Sequence, residues 1–189
     1  AILQAWYGGQ SGGQAIAEVL FGDYNPSGKL PITFYKNIDQ LPDFEEYDMK
    51  GRTYRYLDDS PLYPFGHGLS YTTFSIGKAK ASKTEIKTGE KITLTIPVKN
   101  TGKRQGTEIL QVYVKKLKDE GPIKTLRSFT RVELKPGTSQ DIVLELEPSF
   151  FEWYSNTTHR MDITPGDYEL FYGKSSDEKD LQKFTIKLL

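Results

Sequence analysis

The chain contains no cysteine, and only two histidines, two methionines and two tryptophans. Without thiols there is neither a disulfide framework nor a thiolate zinc site, and His67 and His159 are too few and too scattered for a metal centre. No apolar run reaches the roughly eighteen residues that a membrane-spanning helix needs. Charge of one sign is also missing. Twenty-five basic side chains balance twenty-five acidic ones, and no long Lys/Arg run suggests the basic surface on which nucleic-acid binding depends. The missing cysteines leave the compartment open, since many exported proteins also lack disulfides. No signal peptide opens the chain, which starts on Ala1; in a fragment that address would lie upstream.

Aromatic residues are abundant instead, at 13% of the chain. They are densest in Tyr63 to Phe74, reading YPFGHGLSYTTF. Gly66 and Gly68 permit backbone angles closed to other residues, so a sharp turn is expected. That turn would aim Tyr63, Phe65, Tyr71 and Phe74 into protein. A structural corner joining two modules is preferred here over a ligand site, and His67 within it reads as a packing or hydrogen-bonding residue.

Before the corner, Ala1 to Trp6 reads as a short strand and Gly8 to Gly13 as a glycine turn. Ile16, Val19 and Leu20 then recur at helical spacing, with Gly22 as the stop. Turn chemistry over Asp23 to Gly28 leads to a second strand, Leu30 to Phe34, which Pro31 places at an edge or strand start. One such βαβ-like unit cannot cover both faces of a parallel sheet. We therefore expect an incomplete α/β segment, whose sheet is completed by residues outside this chain. Asp39 to Ser60 is polar and irregular and reads as a long connector.

After Tyr71 the pattern has period two. Ile92, Leu94, Ile96 and Val98 alternate with polar residues, as do Leu110, Val112 and Val114. Similar runs centre on Val132 and Leu134, on Ile142, Leu144 and Leu146, on Tyr168, Leu170 and Tyr172, and on Phe184, Ile186 and Leu188. Such alternation predicts strands with one buried and one solvated face. Turn residues separate the runs, and about seven short strands without an intervening long helix predict a sandwich of immunoglobulin or fibronectin type III kind. Pro148 to Tyr154 is expected to form a single helical turn. The fold class is thus mainly β: a sandwich over 71–189, preceded by the α/β piece at 1–38 and a connector at 39–70.

Little catalytic chemistry is visible. The Gly8–Gly13 turn lies between a strand and a helix, where phosphates bind, but it lacks the Lys-Ser/Thr pair and the dinucleotide glycine spacing, so a structural turn is preferred. Glu45, Glu46 and Asp48 are the one acidic cluster beside aromatics, and adjacent loop acids are usually solvated. Arg52, Tyr54 and Arg55 suit either sugar hydroxyls and carboxylates or the pinning of the connector to a neighbouring domain; pinning is preferred. Asn156-Thr157-Thr158 satisfies the glycosylation sequon. Trp153 and Tyr154 suit a packing cluster better than a carbohydrate platform. No nucleophile-elbow sequence is present.

The corner, the opening AILQAWYGGQSGGQAIAEVLFGDYNPSGKLPITF and the loop YDMKGRTYRY (Tyr47–Tyr56) together resemble the C-terminal region of glycoside hydrolase family 3. The loop is closer to the family's β-xylosidase-type members than to its β-glucosidases. The resemblance implies the end of an α/β sandwich domain followed by a fibronectin type III-like domain. It implies a parent that is a retaining exo-β-glycosidase acting on β-linked xylosides, or second glucosides, without a cofactor. The family's aspartate nucleophile and glutamate acid/base belong to upstream domains, so no catalytic, cofactor or metal residue is assigned here and a substrate-binding residue is left unassigned. The expected partners are the upstream catalytic domains of the same polypeptide and, for the parent, a β-linked oligosaccharide, with neither nucleic acid nor a membrane span. The expected location is periplasmic or secreted. A stand-alone carbohydrate- or protein-binding sandwich is the alternative, because this fold hosts many roles.

Overall fold

A computed structural model describes residues 2–155 and 157–189; the sequon's Asn156 lies outside the described residues. The described residues form one helix of length, α1 (Gly12–Phe21), a helical turn α2 (Thr53–Tyr56) and eleven strands. These are β1 (Phe74–Ile76), β2 (Lys80–Ala81), β3 (Glu85–Ile86), β4 (Ile92–Asn100), β5 (Gly106–Lys116), β6 (Thr125–Leu134), β7 (Ser139–Leu146), β8 (Trp153–Ser155), β9 (Arg160–Asp162), β10 (Gly166–Gly173) and β11 (Leu181–Leu188). Short 3₁₀ turns lie at Ile38–Gln40, Pro148–Phe151 and Glu178–Asp180.

Every period-two run becomes a strand, as the alternation predicts. In the first sheet β4 pairs antiparallel with β7 along one edge and with β1 and β2 along the other. The second sheet runs β3-β11-β10-β5-β6, with β3 parallel to β11 and the other neighbours antiparallel. Between the sheets Ile92, Leu94, Ile96 and Val98 of β4 meet Leu110, Val112 and Val114 of β5 and Leu170 and Ile186 of β10 and β11, all buried. The apolar contact between these inner faces is what holds the sandwich closed.

Two local features fit the chain to this topology. Pro97 sits inside β4, where its missing N–H would ordinarily break a ladder. Its carbonyl faces Gly77, accepting that residue's N–H at 2.8 Å, so its nitrogen faces the same edge. That edge is the gap where the partner changes from β1 to β2, and no ladder bond is lost. At the start of β10, the fully buried Tyr168 donates its hydroxyl to the Thr164 carbonyl at 2.8 Å. This is the tyrosine corner of immunoglobulin-like sandwiches. Burial pushes the Tyr168 phenol pKa up.

The amino-terminal third differs from its reading. Helix α1 forms and ends at Gly22, which adopts the left-handed conformation at φ 84. The two expected strands do not form: residues 2–6 carry no strand, and 30–34 contribute a single bridge, Phe34 to Tyr63. A strand exists only through a ladder to a neighbour, and neither run has one here. Helix α1 buries none of its residues. The connector, expected as an irregular loop, contains the 3₁₀ turn Ile38–Gln40 and α2.

Leu110 is fully buried at the centre of the core. Leu110→Ala is expected to cost about 2–5 kcal/mol in denaturant unfolding followed by tryptophan fluorescence. A loss under about 1 kcal/mol, the range of a tolerated or surface change, would place Leu110 outside a packed interior.

Candidate functional site

Strand β5 is buried on both faces along most of its length. Ile109, Gln111 and Tyr113 point away from the sandwich core yet are buried, Tyr113 completely. What covers them is the chain before β1. The phenol ring of Tyr54, in α2, stacks on Phe65 at 4.3 Å and meets Tyr113 edge-on at 5.8 Å. The Tyr54 hydroxyl accepts the Leu126 N–H at 3.1 Å, its backbone N–H reaches Thr33 Oγ1 at 3.0 Å, and the Arg55 carbonyl accepts from Ile123 at 2.7 Å. The connector is therefore stitched to β6 and to the loop before it.

The aromatic corner sits directly on this face. Gly66 has φ +78 and lies so close to Gln111 that a Cβ would fall 2.1 Å from its Oε1. Only glycine satisfies both demands. Gln111 Nε2 donates to the Gly66 carbonyl at 3.2 Å and to the Lys174 carbonyl, while its Oε1 accepts from the Tyr113 hydroxyl. The Ser176 N–H reaches the Phe65 carbonyl at 2.9 Å. Gly68 is needed for a different reason: a Cβ there would collide with the Gly28 carbonyl at 2.1 Å. The corner aims its aromatics unevenly. Phe74 is buried and Tyr63 and Phe65 are half-buried, but Tyr71 stays exposed and donates its hydroxyl to the Val19 carbonyl at 2.6 Å.

Polar ties complete the junction. Lys29 Nζ meets Glu108 at 2.7 Å and donates to the Gly68 carbonyl at 3.1 Å, with both charged side chains nearly buried. The side chain of Asn25 accepts from Ser70 and the Tyr71 N–H and donates to the Gln105 carbonyl. Arg104 reaches the Gly22 carbonyl at 2.9 Å. None of these partners was legible in sequence, because each joins residues 39 or more positions apart with no local pattern.

The sequence candidates fall as follows. Glu45, Glu46 and Asp48 are exposed; Glu46 and Asp48 accept backbone N–H groups two residues on, so they shape their own loop. Arg52 donates to the carbonyls of Asp43, Glu46 and Asp48 and holds that same loop closed. Tyr54 and the Arg55 backbone turn to the sandwich. Thr53, between them and Arg52, has φ 56, an uncommon backbone state for a β-branched residue. His67 stacks on Tyr63 at 5.4 Å, while His159 lies in the β8–β9 turn with φ 53. No cluster suited to a metal ion occurs among the described residues. The Gly8–Gly13 turn is largely exposed and contains the Gly12 N–H to Gly9 carbonyl bond at 2.9 Å. Trp153 is buried and donates to Asp119 at 2.8 Å, so it is a packing residue; Tyr154 is exposed.

Exposed apolar surface is concentrated before the sandwich. Seventeen of the twenty-two large hydrophobic residues left exposed lie in 2–71, among them Tyr7, Phe21, Phe44 and Tyr47. The site is thus a layer fastened to the β10-β5-β6 face, on which side chains such as Phe44 and Tyr47 stay exposed.

A fibronectin type III-like sandwich carrying such a layer defines a class, and the comparisons agree with it. Residues 1–71 match the glycosyl hydrolase family 3 C-terminal domain, and residues 108–176 match the fibronectin type III-like domain. The chain belongs to glycoside hydrolase family 3, in its C-terminal region. It is 53% identical over its whole length to a xylan 1,4-beta-xylosidase of Xylanibacter ruminicola, of which it covers 22%. It is 38% identical, over 93% of the chain, to a periplasmic beta-glucosidase of Salmonella typhimurium, covering 25% of that protein. A solved β-glucosidase of Erythrobacter marinus superposes with a TM-score of 0.80 at 39% identity, over 94% of this chain and 24% of its own. The chain therefore spans about a quarter of the length of these relatives. No helix among the described residues is long and apolar enough to cross a membrane.

Tyr113 offers a pH test of the junction. Burial pushes its phenol far above the value of an exposed tyrosine. An unfolded tyrosine ionises near pH ~10, so the folded state keeps its full advantage below that pH and loses it as pH rises further. The denaturant midpoint is expected to fall less steeply above about pH 10 in Tyr113→Phe than in wild type. Identical slopes would mean that the phenol ionises freely and the face is open.

Proposed function

We infer that this chain is the non-catalytic C-terminal region of a retaining exo-β-glycosidase that removes β-linked xylosyl units, glucosides being the second choice. The observation that carries this is the 53% identity to a xylan 1,4-beta-xylosidase along every part of the chain. It agrees with the wording of the Tyr47–Tyr56 loop. Retaining hydrolysis requires one carboxylate as nucleophile and another as acid/base, about 5–5.5 Å apart. Asp43, Glu46, Asp48 and Asp59 of the connector are committed to local turns, and the proposal puts both catalytic carboxylates in other parts of the polypeptide.

The division at 1–38, 39–70 and 71–189 remains our proposal for the parts, with one qualification from the contacts. Residues 39–70 are fastened to the sandwich, so connector and sandwich act as one rigid piece. The exposed aromatic residues of 2–71 would then dock on the catalytic domains, holding the Tyr47–Tyr56 loop in a fixed place beside them. Periplasmic or secreted location is supported by the printed name of the Salmonella relative. A free-standing binding module is disfavoured by the extent of exposed apolar side chains, which would be a liability in isolation.

Two assays test the proposal. The full polypeptide should release nitrophenol from its β-xyloside faster than from its β-glucoside, and the 189-residue chain should release none from either. Hydrolysis by the 189-residue chain would refute the non-catalytic reading, and a β-glucoside preference in the full polypeptide would reverse the substrate order.

A further inference from the structure

A cleft of about 810 Å³ opens between α2 and the end of the sandwich formed by the β5–β6 loop and the β8–β9 hairpin. Arg55 and Arg127 line it together with Lys116, Lys118 and three threonines. Among the described residues, four buried side-chain polar atoms lack a hydrogen-bond partner: Arg55 Nε, Arg127 Nε, Thr125 Oγ1 and Thr164 Oγ1. All four belong to residues that line this cleft. The four residues themselves are only part-buried and line the cleft, so a polar ligand there would meet side chains whose hydrogen-bonding capacity the protein leaves partly unused.

The electrostatics choose the sign of that ligand. Neither Arg55 nor Arg127 has a salt-bridge partner among the described residues; Arg127 donates to the Glu152 carbonyl and feels the Arg55 charge more strongly than that of Glu152. Burial first, and the Arg55 charge next, pull the Arg127 pKa down. An anion between them would relieve both effects. The cleft's four bases outnumber its three acids, Asp48, Asp119 and Glu120, and Asp119 is already held by Trp153 Nε1 at 2.8 Å and by Lys116 at 3.6 Å. Tyr154, exposed at the rim, offers a flat apolar face, and the threonine hydroxyls offer both donors and acceptors.

A docked protein fits less well. The lining includes seven ionisable side chains from Asp, Glu, Lys and Arg, whereas the core of a protein interface is depleted in charge. A hydrated ligand with a carboxylate, several hydroxyls and a ring face meets every feature named. We propose that this cleft binds a carboxylate-bearing oligosaccharide, such as a xylan fragment carrying a uronic acid. Only the choice of a sugar over another hydroxylated carboxylate leans on the glycosidase reading.

Isothermal titration of the 189-residue chain tests this without any hydrolysis readout. The probes are xylotetraose bearing one glucuronic acid branch, unbranched xylotetraose, and sodium sulfate. The acidic oligosaccharide should bind at least about tenfold tighter than the neutral one, and more weakly as salt is raised. Arg55→Gln should lose roughly tenfold in affinity for it, since a charge-assisted contact is removed. Tyr154→Ala, a surface change, should weaken the oligosaccharide and leave sulfate unaffected. Equal binding of the neutral sugar, sulfate binding as tight as that of the acidic oligosaccharide, or no heat from any probe at millimolar concentration would each overturn the site. Failure of the glycosidase reading would instead appear in the nitrophenol assays, which do not depend on this cleft.

Discussion

The structure depends on the burial of the second face of β5. A sandwich strand normally gives one face to the core and one to water. Here Ile109, Gln111 and Tyr113 take the second face out of solvent as well, and Gln111 and Tyr113 are polar. A buried amide and phenol are tolerable only when hydrogen-bonded. Gln111 and Tyr113 satisfy each other, and the remaining amide hydrogens go to the Gly66 and Lys174 carbonyls. That arrangement dictates what lies above: a glycine at 66, an aromatic stack of Tyr54 and Phe65, and a connector whose carbonyls accept from the sandwich's own loops.

The consequence is mechanical. Residues that look like a linker in sequence are a structural layer, and movement of the sandwich must carry the connector with it. The connector displays Phe44 and Tyr47, both exposed, on a loop closed by Arg52. In the proposed parent enzyme this layer transmits rigidity from the sandwich to the loop. The same fastening builds one wall of the arginine-lined cleft, because α2 supplies Arg55 only where Tyr54 is anchored.

The strands were legible wherever one face is dry and the other wet. Ile92 to Val98 and Ile142 to Leu146 alternate cleanly, and both became strands. The alternation of β5 identifies a strand but points to a single buried face, since Gln111 and Tyr113 look like solvated positions. The available hint was that Ile109 and Tyr113, both with large apolar surface, fall on the face expected to be wet. The corner glycines were legible as a turn, though the atoms that require them, on Gln111 and Gly28, were not. The expected strands at 1–6 and 30–34 failed because apolar composition describes a buried strand but does not supply its neighbour; residues 2–6 and 30–34 show no ladder. The cleft was invisible for another reason. Arg55 and Arg127 are 72 positions apart, and no spacing rule connects them.

Native-state hydrogen exchange is the most direct check on the layer. The amides of Ile123, Leu126 and Ser176 donate to the connector and corner, not to a strand partner. If the connector and sandwich form one cooperative unit, these three amides exchange with the same opening free energy as Val112 and Tyr113 in β5. Exchange of Ile123, Leu126 and Ser176 at nearly the free-peptide rate, with β5 still protected, would show instead a loose tether lying on an independent sandwich.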